Sequence, residues 1–592
     1  MLRSTLFKLL FILVIMALQV ALLFRLQLFG DEAFYWLESQ NLALSYAELP
    51  GWNAWMIRLG TQLFGHNYFA VRSLGYFAFL SLFAAIYLLH KITKPKPVAF
   101  IDSAALLMSM PLVVLIVTMA LADVWLLFFV VWLSYFLIRS VQSQQFWDWF
   151  FVGILVALSL NVHVRMWMWL FVAGAVFLYC FHSHKQVVKK ALLIALPLGL
   201  LGLVPVLLFN DSNDYALFQF QFGRRHPWQF QMSNLGFFLS QFIVITPLVL
   251  LLWWKAVLSF RNERTNNPVL AWLLLTSLVH FLMYVLMSLF ADGLRTSVHW
   301  LLISYVPVFM VLNGQLNKKL RKWSIATGLV VSLLFLIVLN LNKGENSNLQ
   351  ARLLDNSLGW KSLAEAVKRV KQQQNLDFIV ADYFMTAAEL SFELKQEVPI
   401  KVLPHVKSIK HGRQKQLEIM GMLLKAPKTF EQAALLVVED STLKLQDKAR
   451  YYWQLCGYFE GVKYLQTVNI HASNKQFHLF AINQSQRCEI PPLFYIQHRL
   501  EGDEIVLSGW VIYHQQGIHD LSVMTGRETK VANNKIKNKG VVEQFPEITD
   551  PNAPFNGFEI RLKLSEIAQR QLTLKAVGAD GKVFFSQKYY LD

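Results

Sequence analysis

The chain has 592 residues, of which 55% are hydrophobic and only 16% are charged, and its mean hydropathy is +0.40. A soluble domain of this length would be less apolar, so the composition indicates a membrane protein. The formal net charge of +17 would also fit a nucleic-acid-binding protein. Many of the basic residues, however, lie in short loops between apolar runs, as in membrane proteins, and we therefore expect no nucleic-acid partner.

Eleven apolar runs precede residue 342, and each is long enough, or nearly so, to cross a hydrocarbon layer roughly 30 Å thick. Four of them are short, so the sequence predicts about eleven transmembrane helices. The first run is longer than the apolar core of a usual signal peptide, which favours an uncleaved first helix. The runs are 9–29, 69–89, 98–119, 124–138, 147–160, 167–181, 191–209, 235–254, 269–290, 300–312 and 323–341.

The basic residues between these runs fall in every second loop. Because Lys and Arg collect in cytoplasmic loops, this alternation predicts a cytoplasmic N-terminus and an extracytoplasmic location for everything after residue 341. The outer loops 30–68 and 210–234 are long and rich in aromatic residues, which favours a functional role for them. The basic residues of the predicted cytoplasmic loops are Lys91, Lys94, Lys96, Arg139, Lys185, Lys189, Lys190, Lys255, Arg261, Arg264, Lys318, Lys319, Arg321 and Lys322.

After the last apolar run the sequence is of ordinary globular type, so we predict three domains, at 1–343, 344–486 and 487–592. The second combines a helical pattern with short apolar runs at 378–381 and 435–438, which indicates an α/β domain. The third is a series of short strands and turns, which fits a β-sandwich.

The chain contains three cysteines. Cys180 lies in an apolar run, where it is expected to be a packing residue. Cys456 and Cys488 both fall in the C-terminal half, where an extracytoplasmic location would allow a disulfide. Two separate thiols agree about as well with the sequence, because it gives no distance between the two residues.

Two adjacent carboxylates, Asp31 and Glu32, open the first outer loop directly at the end of the first predicted helix. Placing carboxylates at a membrane boundary costs hydration free energy, so such residues usually have a binding partner or a function. The alternative is a solvated helix end followed by an interfacial aromatic belt at residues 34–36. From these residues alone, the two interpretations are about equally supported.

The sequence around these carboxylates resembles a known family. Residues 31–76, DEAFYWLESQNLALSYAELPGWNAWMIRLGTQLFGHNYFAVRSLGY, are similar to the first-loop signature of the GT-C glycosyltransferases. The similarity is greatest to the branch that contains bacterial lipid A aminoarabinose transferases and protein-mannosyltransferase-like enzymes. Asp123 falls where the family has its second acidic residue, and residues 214–225, DYALFQFQFGRR, and 299–300, HW, resemble two further family segments.

Two segments depart from the family pattern. Residues 48–51, ELPG, stand where the family has a DHPP-like turn, so the role of the family's His is not carried over. Residues 161–165, NVHVR, replace a stretch that contains Lys in the family. The second departure indicates a different donor sugar or a basic residue moved in sequence.

The resemblance implies a polytopic α-helical GT-C fold and transfer of a sugar from a polyprenyl phosphate to an acceptor hydroxyl, with inversion. Such a reaction needs a carboxylate to accept the hydroxyl proton and cations to neutralise the departing phosphate. We expect Asp31 to be the base, with Glu32 and Asp123 orienting it or binding a metal. The alternative assigns Asp123 as the base and gives Asp31 a positional role. No cofactor is required by this scheme, and a divalent metal is an open alternative.

Cations and aromatic side chains complete the predicted site. Arginine suits forked contacts with phosphate, although any single arginine has the alternative of an ion pair or a snorkelling side chain. The candidates for the donor phosphate are Arg58, Arg72, Arg224, Arg225 and Arg295, of which the pair Arg224–Arg225 is favoured. The predicted substrate-pocket residues are Tyr35, Trp36, His299 and Trp300.

Taken with the resemblance, these patterns predict a multi-pass glycosyltransferase of a bacterial inner membrane that acts on lipid A, another glycolipid, a glycan or a protein of the cell envelope. The alternative is a transporter or flippase of lipid-linked saccharides, which would have coupling charges near the bilayer midplane rather than in outer loops. A receptor with a carbohydrate-binding β module would leave Asp31 and Glu32 unexplained. The α/β and β modules are expected to be accessory, because every predicted catalytic residue precedes Trp300.

Overall fold

The computed structural model describes most of the chain, and the described residues form two compact units. The first unit consists of Met1–Lys361, Tyr383–Glu397 and Pro404–Leu423, and the second of Ser362–Asp382, Val398–Leu403 and Leu424–Asp592. The described ranges are 2–93, 99–224, 228–258, 267–290, 297–311, 318–341, 355–470, 475–484, 488–512, 518–525, 529–544, 555–567, 571–577 and 583–590.

The first unit is helical, and seven of its described helices are long and apolar enough to span a membrane. A bent pair, Gly236–Val244 and Pro247–Leu258, turns through 107° and makes an eighth span if the pair is counted as one. The predicted polytopic α-helical fold is therefore confirmed. The seven helices are Thr5–Arg25, Tyr68–Ile92, Ala122–Ser143, Val164–Phe181, Lys185–Ser212, Pro268–Ser288 and Lys318–Asn340.

The predicted number of about eleven spans is not confirmed, because several apolar runs form short or broken helices. The third run divides into Ala99–Met108 and Pro111–Ile116, since a proline has no N–H with which to continue the helical ladder. Phe146–Ser159 has 14 residues and is about 21 Å long, which is less than the hydrocarbon thickness. Leu302–Val311 is shorter still, with 10 residues.

An ion triad joins the ends of three helices that share one large apolar core. The buried carboxylate of Asp102, in Ala99–Met108, accepts a hydrogen bond from Lys8 of the first helix. Its other oxygen lies 3.1 Å from Nε of Arg321, in Lys318–Asn340. A buried carboxylate is tolerated only with such partners, so the triad fixes these three helix ends relative to one another.

The long loop after the first apolar run, residues 30–68, contains two helices, Gly30–Gln40 and Trp52–Phe64. The former, called the first-loop helix below, carries both Asp31 and Glu32 in its first turn. The span Lys185–Ser212 consists of the consecutive helical segments Lys185–Lys190, Ala191–Ala195, Leu196–Leu200, Leu201–Leu203 and Val204–Ser212. The other described helical segments of the first unit are Ala216–Phe218, Gln219–Arg224, Met232–Leu235, Val298–Leu301, Asp355–Ser357, Phe384–Glu393, Val406–Lys410 and Arg413–Ile419.

The second unit contains a five-stranded mixed sheet, as the α/β pattern predicts. Strands β1 and β3 are completely or almost completely buried runs of apolar residues, and β1 pairs in parallel with both β2 and β3. The strand order is β2-β1-β3-β5-β4, with β4 and β5 antiparallel to each other. The bounds are β1 Phe378–Ala381, β2 Ile400–Val402, β3 Ala434–Glu439, β4 Val462–Asn469 and β5 Gln476–Ile482, and the helices are Trp360–Gln373, Pro427–Thr429, Asp440–Thr442 and Leu445–Tyr458.

Two four-stranded sheets follow, with strand orders β10-β11-β7-β6 and β13-β12-β8-β9. Alternate residues of β7, β8, β11 and β12 point into one shared apolar core, which is the packing of a β-sandwich. The predicted β-sandwich is therefore confirmed. The bounds are β6 Leu493–Glu501, β7 Glu504–Ile512, β8 Asp520–Met524, β9 Thr529–Val531, β10 Asn533–Ile536, β11 Gly557–Lys563, β12 Gln571–Val577 and β13 Val583–Tyr590, with helical turns at Lys539–Gln544 and Leu564–Glu566.

Cys456 and Cys488 form a disulfide in this unit, with their Cα atoms 5.6 Å apart. Cys456 lies in the helix Leu445–Tyr458, and Cys488 lies beside the start of β4, where it forms a bridge with Val462. The bond thus joins the α/β sheet to the segment that leads into the sandwich. Of the two alternatives that the sequence left open, the structure has the paired one.

The two units do not divide the chain into two consecutive stretches. The chain leaves the first unit at Lys361 but contributes to it again with Tyr383–Glu397 and Pro404–Leu423. The strands β1 and β2, which flank the first of these segments, belong to the second unit. Local sequence patterns identify helices and strands, but they do not reveal with which unit a short helix packs.

Candidate active site

A cavity of about 500 Å³ lies within the first unit. This volume is in the range of small-ligand sites. The walls combine apolar side chains from the helices with a cluster of ionisable groups. The ionisable residues that line the cavity are Asp31, Tyr35, Glu48, Asp123, His163, Arg165, His299, Asp355, Lys410, His411 and Arg413.

Asp31 reaches this cavity from the first turn of the first-loop helix. Its Oδ1 accepts a hydrogen bond of 2.7 Å from Nη1 of Arg413, and its side chain remains 33% exposed. The carboxylate is therefore held by a cation on one side while it stays accessible. Such a group can accept a proton from a bound hydroxyl.

Glu32, the neighbouring carboxylate, is fully buried and does not line the cavity. Its Oε1 accepts hydrogen bonds of 2.7 Å from Nε of Arg72 and from the backbone N–H of Ala120. Its Oε2 accepts bonds from Nη2 of Arg72 at 2.7 Å and from the N–H of Phe29 at 2.9 Å. Both oxygens are thus used in binding the first-loop helix to neighbouring segments.

Arg72, one of the predicted phosphate ligands, is the cationic half of this buried pair. Besides its two bonds to Glu32, Nη1 donates to the carbonyls of Leu22 and Leu26, and Nη2 donates to that of Gln27. All five N–H groups of the guanidinium therefore have an acceptor. The structure does not bring Glu32 or Arg72 to the cavity.

Asp123 lines the cavity as a second, separate carboxylate, at the start of the helix Ala122–Ser143. Nη1 and Nη2 of Arg165 donate to its two oxygens over 2.7 and 3.1 Å, which is a bidentate pair. Nε2 of His299 lies 3.6 Å from Oδ2, and the Arg165 guanidinium lies 5.9 Å from the ring centroid of Trp300. His163 caps the start of another helix, Val164–Phe181, because its Nδ1 accepts from the N–H of Arg165.

A third acidic group is formed by Glu48 and Glu38, whose carboxyl groups adjoin each other in the interior. Burial and the neighbouring carboxyl raise the pKa of Glu38 well above its ordinary value. Burial likewise raises the pKa of Glu48, to about 7, against the opposing effect of Arg413. Two such close carboxylates resist simultaneous ionisation, so this pair holds a proton near neutral pH.

The remaining predicted residues have mixed positions. Tyr35 lines the cavity, and burial together with Asp31 raises the pKa of its hydroxyl. Trp36 instead packs away from it, against the rings of His66 and Phe392. Nη1 of Arg58 donates to the Gln40 side chain over 3.0 Å, and Arg58 does not line the cavity.

The side chains of three predicted phosphate-binding arginines fall outside the described structure. Arg224 ends the helical turn Gln219–Arg224, but its side chain is not among the described ones, and neither Arg225 nor Arg295 lies in the described ranges. The segment itself borders the site. Phe220 lines the cavity, and the Gln221 side chain donates to the Glu48 carbonyl over 2.5 Å.

The predicted metal ligands Asp31, Glu32 and Asp123 do not come together as one group. Glu32 is committed to Arg72, while Asp31 and Asp123 each face a different arginine. Within the ranges that the structure describes, no three His, Cys, Asp or Glu side chains are grouped so that they could hold a metal ion.

Comparison with known proteins gives this arrangement a context. Residues 50–209 match the dolichyl-phosphate-mannose-protein mannosyltransferase family. The lipid A galacturonosyltransferase RgtD of Rhizobium johnstonii is 26% identical over 391 residues, which cover 62% of this chain and 78% of that protein.

Solved structures give the same result for the fold. The apo structure of ArnT from Cupriavidus metallidurans superposes with a TM-score of 0.58 over 81% of this chain and 98% of that one, at 13% identity. Its complex with undecaprenyl phosphate gives a TM-score of 0.56 over 80% and 98%, at 14% identity. The chain therefore has the GT-C fold of these structures. The predicted resemblance and fold are thereby confirmed.

Several residues of this GT-C cavity were absent from the predicted site. The sequence pattern could have identified Arg165, because it is a charged residue in an otherwise apolar stretch that replaces the Lys-containing segment of the family. Glu48 stands in the turn that departs from the family pattern. No sequence pattern points to Lys410, His411 and Arg413. Their segment is separated from Asp31 by more than three hundred residues and has an ordinary helical pattern.

Proposed function

We propose that this GT-C protein transfers a sugar from a polyprenyl-phosphate-linked donor to an acceptor of the cell envelope, on the extracytoplasmic side and with inversion. Asp31, a cation-held yet accessible carboxylate in a cavity of small-ligand size, is the observation that carries this proposal. The matched family is named for dolichyl-phosphate-mannose, and one ArnT structure contains undecaprenyl phosphate, which supports the donor class. The name of RgtD makes lipid A the first acceptor to test.

In this proposal Asp31 is the general base. The acceptor hydroxyl oxygen forms a bond to the anomeric carbon from the face opposite the phosphate, while the bond from that carbon to the phosphate oxygen breaks. The bonding electrons leave with the phosphate, and the hydroxyl proton passes to Asp31. Because Asp31 is one-third exposed, the proton can then reach solvent.

The departing phosphate needs cations, and Arg165 is a candidate that the structure adds to the predicted set. It lines the cavity, and its Nε has no hydrogen-bond partner within the described part of the chain. We therefore assign Arg165, together with Arg224, Arg225 and Arg295, to the donor phosphate. Glu32 and Arg72 are assigned a positioning role, because their polar atoms are used within their own pair and its surroundings.

Two observations support the extracytoplasmic location of the site. The basic loops alternate along the sequence as expected for a cytoplasmic N-terminus. The disulfide between Cys456 and Cys488 belongs in an oxidising compartment, which for a bacterial inner-membrane protein is the extracytoplasmic side.

The proposal is tested by mass spectrometry of envelope glycolipids from cells that lack the protein. We expect one glycosyl group to disappear from an acceptor and to return with the wild-type chain but not with Asp31→Asn at matched membrane levels. Asp214→Asn, which alters a carboxylate with an 85% exposed side chain, is the control and should restore the glycan. An unchanged set of glycans, or full restoration by Asp31→Asn, would contradict the proposal. Accumulation of the saccharide on its lipid in the cytoplasmic leaflet would favour the flippase alternative.

A further inference from the structure

The segment Pro404–Leu423, called the Arg413 segment below, supplies a wall of the cavity from the C-terminal half of the chain. It contains the helices Val406–Lys410 and Arg413–Ile419, joined by His411 and Gly412. Arg413 is the first residue of the second helix, and Gln416 is one turn later on the same face. The Gln416 side chain accepts a hydrogen bond of 2.9 Å from the N–H of Ala47, so this face is docked on the loop of residues 30–68.

The Arg413 guanidinium is enclosed by aromatic rings. It lies 4.6 Å from the ring centroid of Phe34, 5.5 Å from that of Tyr35 and 4.5 Å from that of Phe384. Its side chain is only 4% exposed. Rings on several sides exclude water and restrict the guanidinium to one plane, so the directions of its N–H groups are fixed.

Two carboxylates of the cavity face this guanidinium. Nη1 donates to Oδ1 of Asp31 over 2.7 Å, whereas Nε lies 3.4 Å from Oε1 of Glu48. Glu48 shares its surroundings with Glu38, and that pair holds a proton, so the closer and stronger partner of Arg413 is Asp31. Arg413 thus forms a buried, charge-assisted hydrogen bond with Asp31.

On the assumption that the proposed function holds, we propose that Arg413 is a positioning residue that holds the Asp31 carboxylate oriented towards the acceptor hydroxyl. Arg413 itself does not exchange a proton, because a guanidinium stays charged. The reaction site is then complete only when the Arg413 segment is docked. This segment of the C-terminal half is in this respect part of the active site rather than an accessory.

The test is a double-mutant cycle in the full-length protein, with transfer measured on a polyprenyl-phosphate sugar and a lipid A acceptor. Arg413→Gln should lower kcat on the order of 10²-fold and leave KM for the donor nearly unchanged, because the effect is on the base and not on donor binding. In the Asp31→Asn background the same substitution should cost less than about twofold, since its target is already lost. Arg413→Lys should have a kcat about tenfold higher than that of Arg413→Gln, because Lys keeps the positive charge but lacks the forked N–H donors of the guanidinium.

Gln416→Ala provides the matched control, since it loosens the same helix face without removing the charge. Its loss of kcat should be far smaller than that of Arg413→Gln, because the guanidinium that faces Asp31 is still present. All variants are compared at equal amounts of protein that elutes as a single folded species, and Arg413→Lys supplies the cycle if Arg413→Gln does not fold.

The outcomes separate this inference from the proposed function. If the fold losses of kcat in Arg413→Gln and Asp31→Asn multiply in the double variant, the positioning role is overturned and the base assignment stays intact. Wild-type turnover in Asp31→Asn alone would overturn the base assignment and the inference with it. Absence of transfer by the wild-type protein, with active controls, would instead reject the proposed function.

Discussion

The Asp123–Arg165 pair shows how a charge is accommodated at a helix start within an apolar unit. The two side chains are 6% and 8% exposed, and both carboxylate oxygens receive a guanidinium N–H. A buried charge is stable in such a place only with a partner, so each residue explains the presence of the other. The pairing accounts for the charged residue in the stretch 161–165, which departs from the family pattern.

We predict that Arg165→Ala lowers the free energy of unfolding by about 3–5 kcal/mol, because it leaves a buried carboxylate without its cation. The control is Arg139→Ala, which removes a similar contact of 2.8 Å to Asp148, but from a side chain that is 49% exposed. Water screens the half-exposed Arg139, and the Asp148 carboxylate keeps its hydrogen bond from the Ser143 hydroxyl, so the control should shift the thermal unfolding midpoint far less. Equal shifts in detergent-solubilised protein would contradict the burial argument.

Glu48 gives a prediction about pH. In the folded protein it has a pKa of about 7, whereas in the unfolded chain it titrates near its ordinary value of 4.5. The folded state therefore binds more protons between these values, and this contribution to stability is lost as the pH rises from about 4.5 to 7. We expect the free energy of unfolding of the wild-type protein to decline by up to about 3 kcal/mol over this pH range. Glu48→Gln, whose side chain stays neutral, should lack this decline.

The measurement is thermal unfolding of the wild-type protein and Glu48→Gln across pH 4.5 to 7.5, and the difference between the two carries the prediction. Taking the difference matters because burial lowers the pKa of His405 to about 4, which makes stability change with pH in the opposite direction over part of this range. A difference that does not vary with pH would show that Glu48 titrates at its ordinary value.

At the scale of elements, the Arg413 segment depends on Gly412. This residue has φ +75°, and a Cβ there would lie 2.7 Å from the ring of Phe220. We predict that Gly412→Ala lowers turnover by about tenfold or more, because either the ring or the start of the Arg413 helix must move.

Gly421→Ala is the matched control for this prediction. Gly421 has a similar φ of +68°, but a Cβ there meets nothing within 4 Å among the described atoms. Both substitutions carry the conformational cost of a left-handed residue, roughly 1 kcal/mol, so only the collision distinguishes them. Comparable turnover in the two variants would contradict the proposed docking, whereas partial rescue of Gly412→Ala by Phe220→Ala would support it.

The elements differ in how far the sequence predicts them. Long apolar runs without Pro, such as Ala122–Ser143, and fully apolar strands such as β3 are local patterns, and the structure has both. Pro111 divides a run that hydropathy alone counts as one span, because a missing N–H hardly changes the hydropathy of a window. The pattern around Asp31 identified a carboxylate of the cavity, but the same pattern could not separate it from Glu32, whose partner Arg72 lies on another helix.

The position of Arg413 in the site could not be predicted from the sequence for a different reason. Its contact with Asp31 joins residues that are 382 positions apart, and the segment around it reads as part of a globular domain. The expectation that the site precedes Trp300 was therefore incomplete, since Lys410, His411 and Arg413 also line the cavity. Contacts of this kind depend on tertiary packing, which periodicity and composition do not encode.

For the whole molecule, the topology makes a prediction that does not depend on catalysis. A reporter that is active only in the cytoplasm should be silent when it is fused after Leu341 and active when it is fused after Gln144, because the first position follows the last span and the second lies in a basic loop. An active fusion after Leu341 would overturn the extracytoplasmic location of the C-terminal half.

Direct transfer by the purified protein is the measurement that tests the central claim. The full-length chain in lipid vesicles is given lipid A and, one at a time, polyprenyl phosphates that carry galacturonic acid, aminoarabinose or mannose, and the product is weighed by mass spectrometry. We expect glycosylated lipid A with one of these donors, and a rate that falls on the order of 10²–10⁴-fold in Asp31→Asn with little change in donor affinity. No product with any of the donors, or a wild-type rate in Asp31→Asn, would contradict the account.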